Sequence, residues 1–586
     1  MQRLQNYVLC ILLFLFCSSL PASKTNYAWP VKGIKTITGS FGEFRYYYFH
    51  LGMDFSTGSR DGVPIVAISN GKIVKLQSLR YSIGNALYLQ HDDGMTSRYG
   101  HLSRYSEKIL QKLPLVIREM VEKRMDFTYT LNQGIPFGKG EIIGYSGRTG
   151  MGPAHLHLEL LRDGIHYNPA DFGLDYNPQS KINLFHVTLQ PEDSFSYING
   201  KQKPIKLPLY KKGDGSYTSP TTAKIQGKVS VKLAGHERSG YSNKIGFRKI
   251  STYLNAKELQ VIKIARIKKR HQYRSCLLFD NFHSNMSGKP FTYHLHSIAN
   301  YGLLTHKYPE KGKGIISSEK LTQEKNTLTI DVEGLHSNAT VAIKLRKDQS
   351  KYPYRADRVK HYTVYPDSYA NIRSKNGKVE LFFPGYSIFE KANFTVRKSS
   401  HIKIPYKELI PLSDAYTISP DYRSYHLGYN IYFYSLAKLP FDKEKVAIYR
   451  VNYRGYVISR LESYYSPKKN FAIRYRNRAS GNYIVLADLA KPRIRVHRYS
   501  DHAKLDKNDK IFLIISDIGS GVRFQDISAR IDGEKARVDH DPESGLREVF
   551  SPKEKIYQSG KHVLEVEAKD RAGNLSDKLI FHYSIP

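Results

Sequence analysis

Two histidines, His155 and His157, lie two positions apart in the segment GMGPAHLHLEL at residues 150–160. Side chains at positions i and i+2 of a β-strand point to the same face of the sheet, so this spacing predicts that both imidazoles face one site. Such a pair is common on solvent-exposed strands. A chemical role therefore depends on partners elsewhere in the chain.

Candidate partners lie upstream in two short motifs. HLGMD supplies His50 and Asp54, with Gly52 between them to permit a bend, and YGHL supplies His101. A catalytic zinc ion usually takes three protein ligands from His, Asp and Glu and keeps one position open for water. Four histidines and one aspartate can therefore provide three metal ligands and leave two side chains for proton transfer. The residue types alone leave open which three bind the metal.

These motifs belong to a longer series within residues 36–173. In chain order the segments are SFGEFR (40–45), HLGMD (50–54), GVPIVAISNGKIV (62–74), YGHL (99–102), GEIIGYSGRTG (140–150) and HLHLE (155–159). The series resembles the lysostaphin-type (LytM-type) zinc metallopeptidases, and the resemblance covers about a quarter of the chain. The stretch between His101 and the last segment is longer than in compact members of that family, so the resemblance leaves the shape of the cleft wall open.

The resemblance implies a role for each of the five residues. It implies one Zn²⁺ per chain, bound by His50, Asp54 and His157, with His101 and His155 as catalytic residues. Zinc lowers the pKa of bound water and polarises a peptide carbonyl. One unligated histidine can then take the water proton, and the other can donate a proton to the oxyanion or the leaving amine.

The family acts on peptide cross-links of peptidoglycan. The resemblance therefore implies a secreted zinc endopeptidase that hydrolyses peptide bonds in peptidoglycan stem peptides or cross-links. A non-catalytic envelope protein, which binds cell wall or activates another wall hydrolase through a peptidase-like domain, is the alternative. An adhesin-like structural protein is a third. The complete set of five site residues favours catalysis, because family members without activity have usually lost metal ligands.

Other polar residues have weaker patterns. Glu159 shares the strand face of His157, where it could support that ring or simply end the strand in solvent. His91 is predicted as a hairpin residue and His166 as a solvated turn residue. A second H-x-H, at residues 294–296, has no accompanying motif and is predicted to pack between strands.

The fold class is predicted to be mainly β, because alternating runs such as VKLAGH, TLTIDVEG and HVLEVEAKD recur along the chain. We expect an N-terminal antiparallel β-sheet zinc peptidase domain followed by several β-sandwich (Ig-like) modules. Residues 106–127 have near-helical spacing, interrupted by Pro114, and predict a short helical excursion. The closing DRAGN turn resembles that of bacterial immunoglobulin-like domains. The predicted domains are 29–173 (peptidase), 180–350 and 360–488 (β-sandwich modules) and 491–586 (an Ig-like sandwich).

The N-terminus has the layout of a secretory signal peptide over residues 1–23, with an early arginine, an apolar run and then small residues. A retained membrane anchor is disfavoured because the apolar run is short for a span of about 20 residues. Cys17 raises a lipoprotein alternative, which the bulky Phe16 before it argues against. The expected location is the periplasm, the cell envelope or the extracellular space, with no membrane span after cleavage. Cys276 then remains as a single cysteine, so no internal disulfide is expected.

The chain carries a formal net charge of +37. Such a charge first suggests nucleic acid, but the predicted export and the even spread of Lys and Arg argue against it. Anionic cell-envelope polymers are the expected partners, beside peptidoglycan peptides, through non-specific attraction. A biased composition on solvated strand faces explains the charge equally well, and the oligomeric state is left open.

Overall fold

The computed structural model is mainly β, as predicted, with 54% of the residues in strands and 5% in helices. The predicted signal peptide at residues 1–23 lies outside the described residues. The structure describes residues 27–586 except for 46–47, 80–81, 123–124, 151, 177–179, 194, 241–242, 281–282, 285–288, 299–302, 304, 308–312, 323, 351, 353–361, 366–367, 390–391, 421–424, 438–440, 507–508, 541–545 and 551–557.

The N-terminal region forms an antiparallel sheet with the strand order β1-β4-β11-β8-β7-β6-β9, to which β10, β5 and β12 add at the sides. A separate short hairpin pairs β2 with β3. The strands are β1 (Ile37–Gly39), β2 (Phe44–Arg45), β3 (Tyr48–Phe49), β4 (Met53–Ser56), β5 (Pro64–Val66), β6 (Gly71–Leu79), β7 (Gly84–His91), β8 (Thr96–Tyr105), β9 (Phe127–Phe137), β10 (Ile142–Ser146), β11 (His155–Arg162) and β12 (Ile165–Tyr167).

Two short helices interrupt this sheet between β8 and β9. They are α1 (Glu107–Leu110) and α2 (Leu115–Glu122), and Pro114 lies between them. The predicted helical excursion is therefore confirmed as two pieces, because proline lacks the N–H that a continuous helix would need there. The end of the predicted segment instead starts β9, at Phe127.

The next region contains two further sheets, with strand orders β15-β13-β19-β20 and β14-β18-β28-β27-β21-β22-β25. Its strands are β13 (Lys181–Pro191), β14 (Tyr197–Ile198), β15 (Ile205–Pro208), β16 (Tyr210–Lys211), β17 (Tyr217–Thr218), β18 (Ala223–Gln226), β19 (Lys228–Ser239), β20 (Asn243–Ile245), β21 (Lys249–Leu254), β22 (Lys257–Lys263), β23 (Arg266–Lys268), β24 (Phe291–His294), β25 (His306–Lys307), β26 (Ile316–Ser317), β27 (Asn326–Glu333) and β28 (Asn338–Lys347). Short 3₁₀ helices lie at Pro169–Phe172, Lys269–His271, Ser275–Leu277 and Ser318–Lys320.

The first two regions share one hydrophobic core, whose buried side chains run from Tyr27 to Leu345. Strand β23 of the second region also pairs with β12, so it continues the first sheet. The division into domains at 29–173 and 180–350 stays a prediction. The common core argues against independent folding of residues 29–173, because cutting there would expose apolar surface.

The third region is built from two sheets, with strand orders β29-β32-β34-β40-β36-β37 and β30-β31-β35-β39-β38. Buried side chains of both sheets form a common core, as in a sandwich. The strands are β29 (Tyr362–Val364), β30 (Ala370–Arg373), β31 (Val379–Phe383), β32 (Ala392–Lys398), β33 (Leu409–Pro411), β34 (Tyr416–Ser419), β35 (Tyr429–Tyr434), β36 (Val446–Val451), β37 (Val457–Arg460), β38 (Tyr464–Ser466), β39 (Phe471–Asn477) and β40 (Gly481–Asp488).

The last region has the strand order β41-β43-β46-β45-β44-β47-β48-β42 and a core of its own. Its strands are β41 (Arg493–Val496), β42 (Ala503–Lys504), β43 (Phe512–Ser516), β44 (Val522–Ile531), β45 (Glu534–His540), β46 (Leu546–Phe550), β47 (Gly560–Asp570) and β48 (Leu579–Ile585). The immunoglobulin-like character of this region stays a prediction. In the part of the chain that the structure describes, no helix has the length and apolar character to cross a membrane.

Candidate functional site

The site lies on three neighbouring strands of the N-terminal sheet. β11 runs between β4 and β8, and its His157 is opposite Asp54 of β4 on one side and Gly100 of β8 on the other. Alternation along β11 buries Leu156, Leu158 and Leu160 in the core. It turns His155, His157 and Glu159 to the opposite face. The predicted common face of the two histidines is therefore present.

Three side-chain atoms converge at the centre of this face. His157 Nδ1 lies 2.9 Å from Asp54 Oδ1 and 3.0 Å from His50 Nε2. His50 Nε2 lies 3.1 Å from Asp54 Oδ1. All three residues are buried. Two imidazole nitrogens and one carboxylate oxygen at this spacing form a group that could hold a metal ion.

The outer nitrogens of the two rings show which way their lone pairs point. His50 Nδ1 donates to the carbonyl oxygen of Ser40 at 2.8 Å, and His157 Nε2 donates to Glu159 Oε1 at 3.1 Å. A carbonyl or an ionised carboxylate only accepts, so these nitrogens carry the hydrogens. In the neutral rings, His50 Nε2 and His157 Nδ1 then present lone pairs towards Asp54. This donor set fits a divalent metal.

Gly52 allows the close approach of the His157 ring. A β-carbon at Gly52 would lie 2.8 Å from both Cε1 and Nε2 of His157. This distance is shorter than van der Waals contact, so a side chain at Gly52 would displace the ring. The sequence analysis singled out Gly52 because a glycine permits a bend. The structure adds a second reason for a glycine at this position, which is the close approach of the His157 ring.

His155 and His101 flank the three-residue group. His155 Nε2 lies 3.7 Å from Asp54 Oδ1, and the His155 and His101 ring centroids are 4.5 Å apart. His155 Nδ1 donates to the Pro153 carbonyl at 2.7 Å, and His101 Nδ1 donates to the Thr149 carbonyl at 2.8 Å. Both rings are thereby held with a free lone pair on Nε2 when neutral.

The backbone of His101 has an unusual conformation. Its φ of 62° lies in the left-handed region, which costs a non-glycine residue roughly 1–3 kcal/mol. The strand pairing of β7 with β8 shifts register just before this point, and the His101 N–H instead donates to the Ile83 carbonyl at 2.8 Å. The local bend places the His101 ring beside His155 rather than along the regular strand face.

The pKa values of the ionisable groups at the site are shifted from their usual values, and the shifts indicate which groups are charged at neutral pH. Burial raises the pKa of Asp54, but the charges of protonated His50 and of Arg45, with hydrogen bonds that the protonated forms of the two histidines donate, outweigh it and hold the pKa well below its usual range. Burial and the neighbouring histidines hold the pKa of His101 well below its usual value. Burial likewise lowers the pKa of His155. Asp54 is therefore anionic, while His101 and His155 are neutral at neutral pH and able to accept a proton.

Glu159 is buried, which decides between its two predicted environments. Besides His157, it contacts Arg98 in an ion pair and lies with Oε2 3.3 Å from His166 Nδ1. The charge of Arg98 and the neighbouring histidines overcome burial and hold the pKa of Glu159 well below its usual range. The prediction of a solvated turn for His166 is wrong: the ring is buried on β12 because it faces this carboxylate.

Arg45 and Glu43 support the site from the hairpin before His50. Arg45 contacts Asp54 Oδ2 at 2.6 Å and Glu43 Oε1 at 2.8 Å. Glu43 Oε2 in turn accepts from the Ser40 N–H and hydroxyl. This network holds the outer oxygen of Asp54 and leaves Oδ1 for the centre. Sequence reasoning did not predict a role for Glu43 or Arg45. Their presence as a charged pair in the SFGEFR segment was the signal that could have indicated one.

The remaining histidines lie outside this centre. His91 ends β7 at a hairpin, as predicted, but it is buried, with its ring nitrogens 2.9 Å from the Asn70 carbonyl and 2.8 Å from Ser97 Oγ. His294 and His296 are buried beside each other in the second region, with ring centroids 5.4 Å apart. Their packing agrees with the expectation for the second H-x-H.

Comparison with known proteins agrees with this geometry. Residues 48–113 match the model of Peptidase family M23, a range that contains His50, Asp54 and His101. The chain carries a Peptidase family M23 domain. His155 and His157 lie beyond the matched range, and the M23 sheet brings them to the same centre through β11.

The chain is similar to several curated proteins. Glycyl-glycine endopeptidase ALE-1 from Staphylococcus capitis is 28% identical over 192 residues, which cover 32% of this chain and 42% of that protein. Peptidoglycan DD-endopeptidase ShyC from Vibrio cholerae is 30% identical over 151 residues, 25% of this chain and 27% of that protein. The solved catalytic domain of lysostaphin from Staphylococcus simulans is 27% identical with a TM-score of 0.18, and the match covers 23% of this chain and 90% of that domain.

The chain thus spans less than half the length of the curated relatives that it matches. The similarity also leaves most of this chain unmatched. The family match itself concerns residues 48–113 of the N-terminal region.

Proposed function

We propose that the chain is a zinc endopeptidase that hydrolyses peptide bonds of peptidoglycan stem peptides or cross-links. The observation that carries the proposal is the convergence of His50 Nε2, Asp54 Oδ1 and His157 Nδ1 within about 3 Å of one another, inside an M23 domain. The similarity to a glycyl-glycine endopeptidase and to a peptidoglycan DD-endopeptidase supports the substrate class.

His50, Asp54 and His157 would hold one Zn²⁺ in this proposal. When bound, zinc lowers the pKa of water and polarises a peptide carbonyl. The hydrogen bonds from His50 to Ser40 and from His157 to Glu159 keep both rings turned towards the metal position. Such outer partners raise the basicity of the ligands and fix their orientation.

His155 and His101 would move the protons. Their lowered pKa values leave both rings neutral at neutral pH, so either Nε2 can accept a proton. His155 Nε2 is near the metal position because it lies 3.7 Å from Asp54 Oδ1. We assign one ring to proton removal from the attacking water. The proton that it gains would then pass to the leaving amine, either directly or through the other ring, whose centroid is 4.5 Å away. The contacts of their Nδ1 atoms with backbone carbonyls hold both rings in place.

The proposal includes export through residues 1–23 and attraction of the basic chain to anionic envelope polymers. With a formal net charge of +37, the chain as a whole is attracted to such polymers at low salt. The regions from β29 onwards would then add spacing or attachment for the M23 domain.

The deciding experiment uses the full mature chain on purified peptidoglycan. We expect release of soluble peptides, loss of this release with a chelator, and its return on addition of Zn²⁺. Mass spectrometry of products from defined muropeptides would identify the bond. Binding to the wall without any bond cleavage, in the zinc-loaded protein, would contradict the endopeptidase and support a non-catalytic wall-binding protein.

A further inference from the structure

A cleft with a volume of about 400 Å³ opens in front of Asp54 and His155. One wall belongs to the N-terminal sheet and its hairpin. The opposite wall comes from the second region, beyond every motif of the M23 domain. The lining residues of that second wall are Asn243, Lys244 and Phe291.

The second wall is fixed relative to the metal centre. The Gly246 N–H donates to Ser40 Oγ at 2.7 Å, and the Ser239 hydroxyl donates to the Ile37 carbonyl. Ser40 is also the residue whose carbonyl accepts from His50. With the hydrophobic core shared by both regions, these bonds make the cleft a built feature of the fold.

On the first wall, the single guanidinium group is already paired with two carboxylates. Arg45 lies between Glu43 and Asp54, and Glu43 Oε2 accepts from both the N–H and the hydroxyl of Ser40. These contacts already engage the Arg45 guanidinium. A substrate carboxylate would meet an arginine that already binds two carboxylates.

Lys244 brings a cation to the opposite wall. Its Nζ donates to the Lys289 carbonyl at 2.6 Å and lies 5.6 Å from the centroid of the Phe291 ring. Partial burial lowers the pKa of Lys244, which the charge of Glu43 opposes. A partly desolvated ammonium gains more from an incoming anion than a fully hydrated one does.

We propose that Lys244 binds a free carboxylate of the peptide substrate and so selects peptides that carry one near the bond to be cut. This inference rests on the proposed endopeptidase function and names its substrate class more closely. The second region, which supplies Lys244, then has a role in specificity. Phe291 contributes an apolar surface beside the bound carboxylate, and Lys244 takes no part in the proton transfers.

The test compares two synthetic peptides with the full, zinc-loaded chain. They have the same cleavable sequence and differ only in a free carboxylate or a neutral carboxamide next to the cleaved bond. We expect the wild-type kcat/KM to be about tenfold or more higher for the carboxylate, the scale of a charge-assisted hydrogen bond. The Lys244→Met variant should bring the ratio of the two values towards one, and Lys244→Arg should retain part of the preference. Lys72→Met, which removes an exposed lysine outside the lining of the cleft, should keep the wild-type ratio.

Equal kcat/KM values of the wild type for both peptides would overturn the inference. An unchanged ratio in a Lys244→Met variant with full zinc content would overturn it as well. The wild-type comparison needs no variant, so it decides the matter even if a substitution impairs folding. Cleavage of neither peptide, nor of peptidoglycan, by the zinc-loaded wild type would contradict the proposed function instead.

Discussion

His157 and Asp54 are register partners in neighbouring antiparallel strands, and His157 Nδ1 lies 2.9 Å from Asp54 Oδ1. The two residues are more than 100 positions apart in the chain. Their pairing is set by the order of β4, β11 and β8, and His50 joins them from the loop before β4. The candidate metal centre is therefore formed by the assembly of the sheet.

Removal of Asp54 should remove the metal. Asp54→Ala leaves two neutral imidazoles without the anionic donor, so we expect the purified full chain to lose zinc and peptidase activity together. Metal analysis by mass spectrometry measures the first effect, and product release from peptidoglycan measures the second. Asp61→Ala, which removes an exposed carboxylate paired with Arg148, is the matched control. Full zinc occupancy in Asp54→Ala would show that another set of residues binds the metal.

Removal of either flanking histidine should leave the metal in place. We expect His101→Ala and His155→Ala to retain zinc and to lose about 10²-fold or more in kcat, the scale of a general acid or base. His401→Ala, at an exposed position in the third region, serves as the control. Loss of zinc from either variant would identify that histidine as a ligand and would refute its assignment to proton transfer.

Glu159 should act through His157. We expect Glu159→Gln to weaken zinc binding about 10- to 100-fold, because the charged partner that orients the His157 ring is lost. Competition with a chromophoric chelator measures the affinity. Glu141→Gln removes a partly exposed carboxylate that pairs with Lys108, outside the site, and should have no effect. Zinc affinity equal to that of the wild type would mean that packing alone orients His157.

Acid should destabilise the second region through His236. Burial and the charges of Lys244 and Arg238 lower the pKa of His236 to about 4, against about 6.5 in an unfolded chain. Between these values the unfolded state binds more protons, so this contribution to stability is present above about pH 6.5 and is lost as pH falls towards 4. Urea unfolding of the full chain at several pH values should show a falling midpoint. His236→Gln should make the fall shallower, and an unchanged slope would exclude His236 as a cause.

Attachment to the wall should depend on salt. The attraction between exposed charges is screened over about 8 Å at physiological ionic strength and about 3 Å at 1 M salt. We expect the Asp54→Ala chain, used to avoid digestion of the wall, to co-sediment with purified walls at low salt and to be released as salt rises. Retention that is independent of salt would exclude charge attraction as the main contribution.

The residue pattern alone was sufficient for the fold class. Together with the family resemblance it named five residues that the structure brings close to one another, and their roles stay a prediction. Strand alternation placed His155 and His157 on one face, and the family resemblance supplied their companions. Glu159 was recognised as a neighbour of His157 on that face, but its environment was not. The sequence misplaced His166, since a glycine turn before it has the same local pattern whether the next side chain is solvated or buried.

Tertiary structure decided which charges meet. Local alternation encodes the face of a strand, whereas ion pairs such as Arg98 with Glu159 depend on the order and register of strands distant in sequence. The opposite wall of the cleft could not be predicted from the sequence either. Lys244 approaches the site only when the second region packs against the N-terminal sheet. The sequence by itself determined the chemistry available to this protein. Long-range packing decided which charged residues hold the site histidines in place, how deeply these residues are buried, and which residues form the second wall of the cleft.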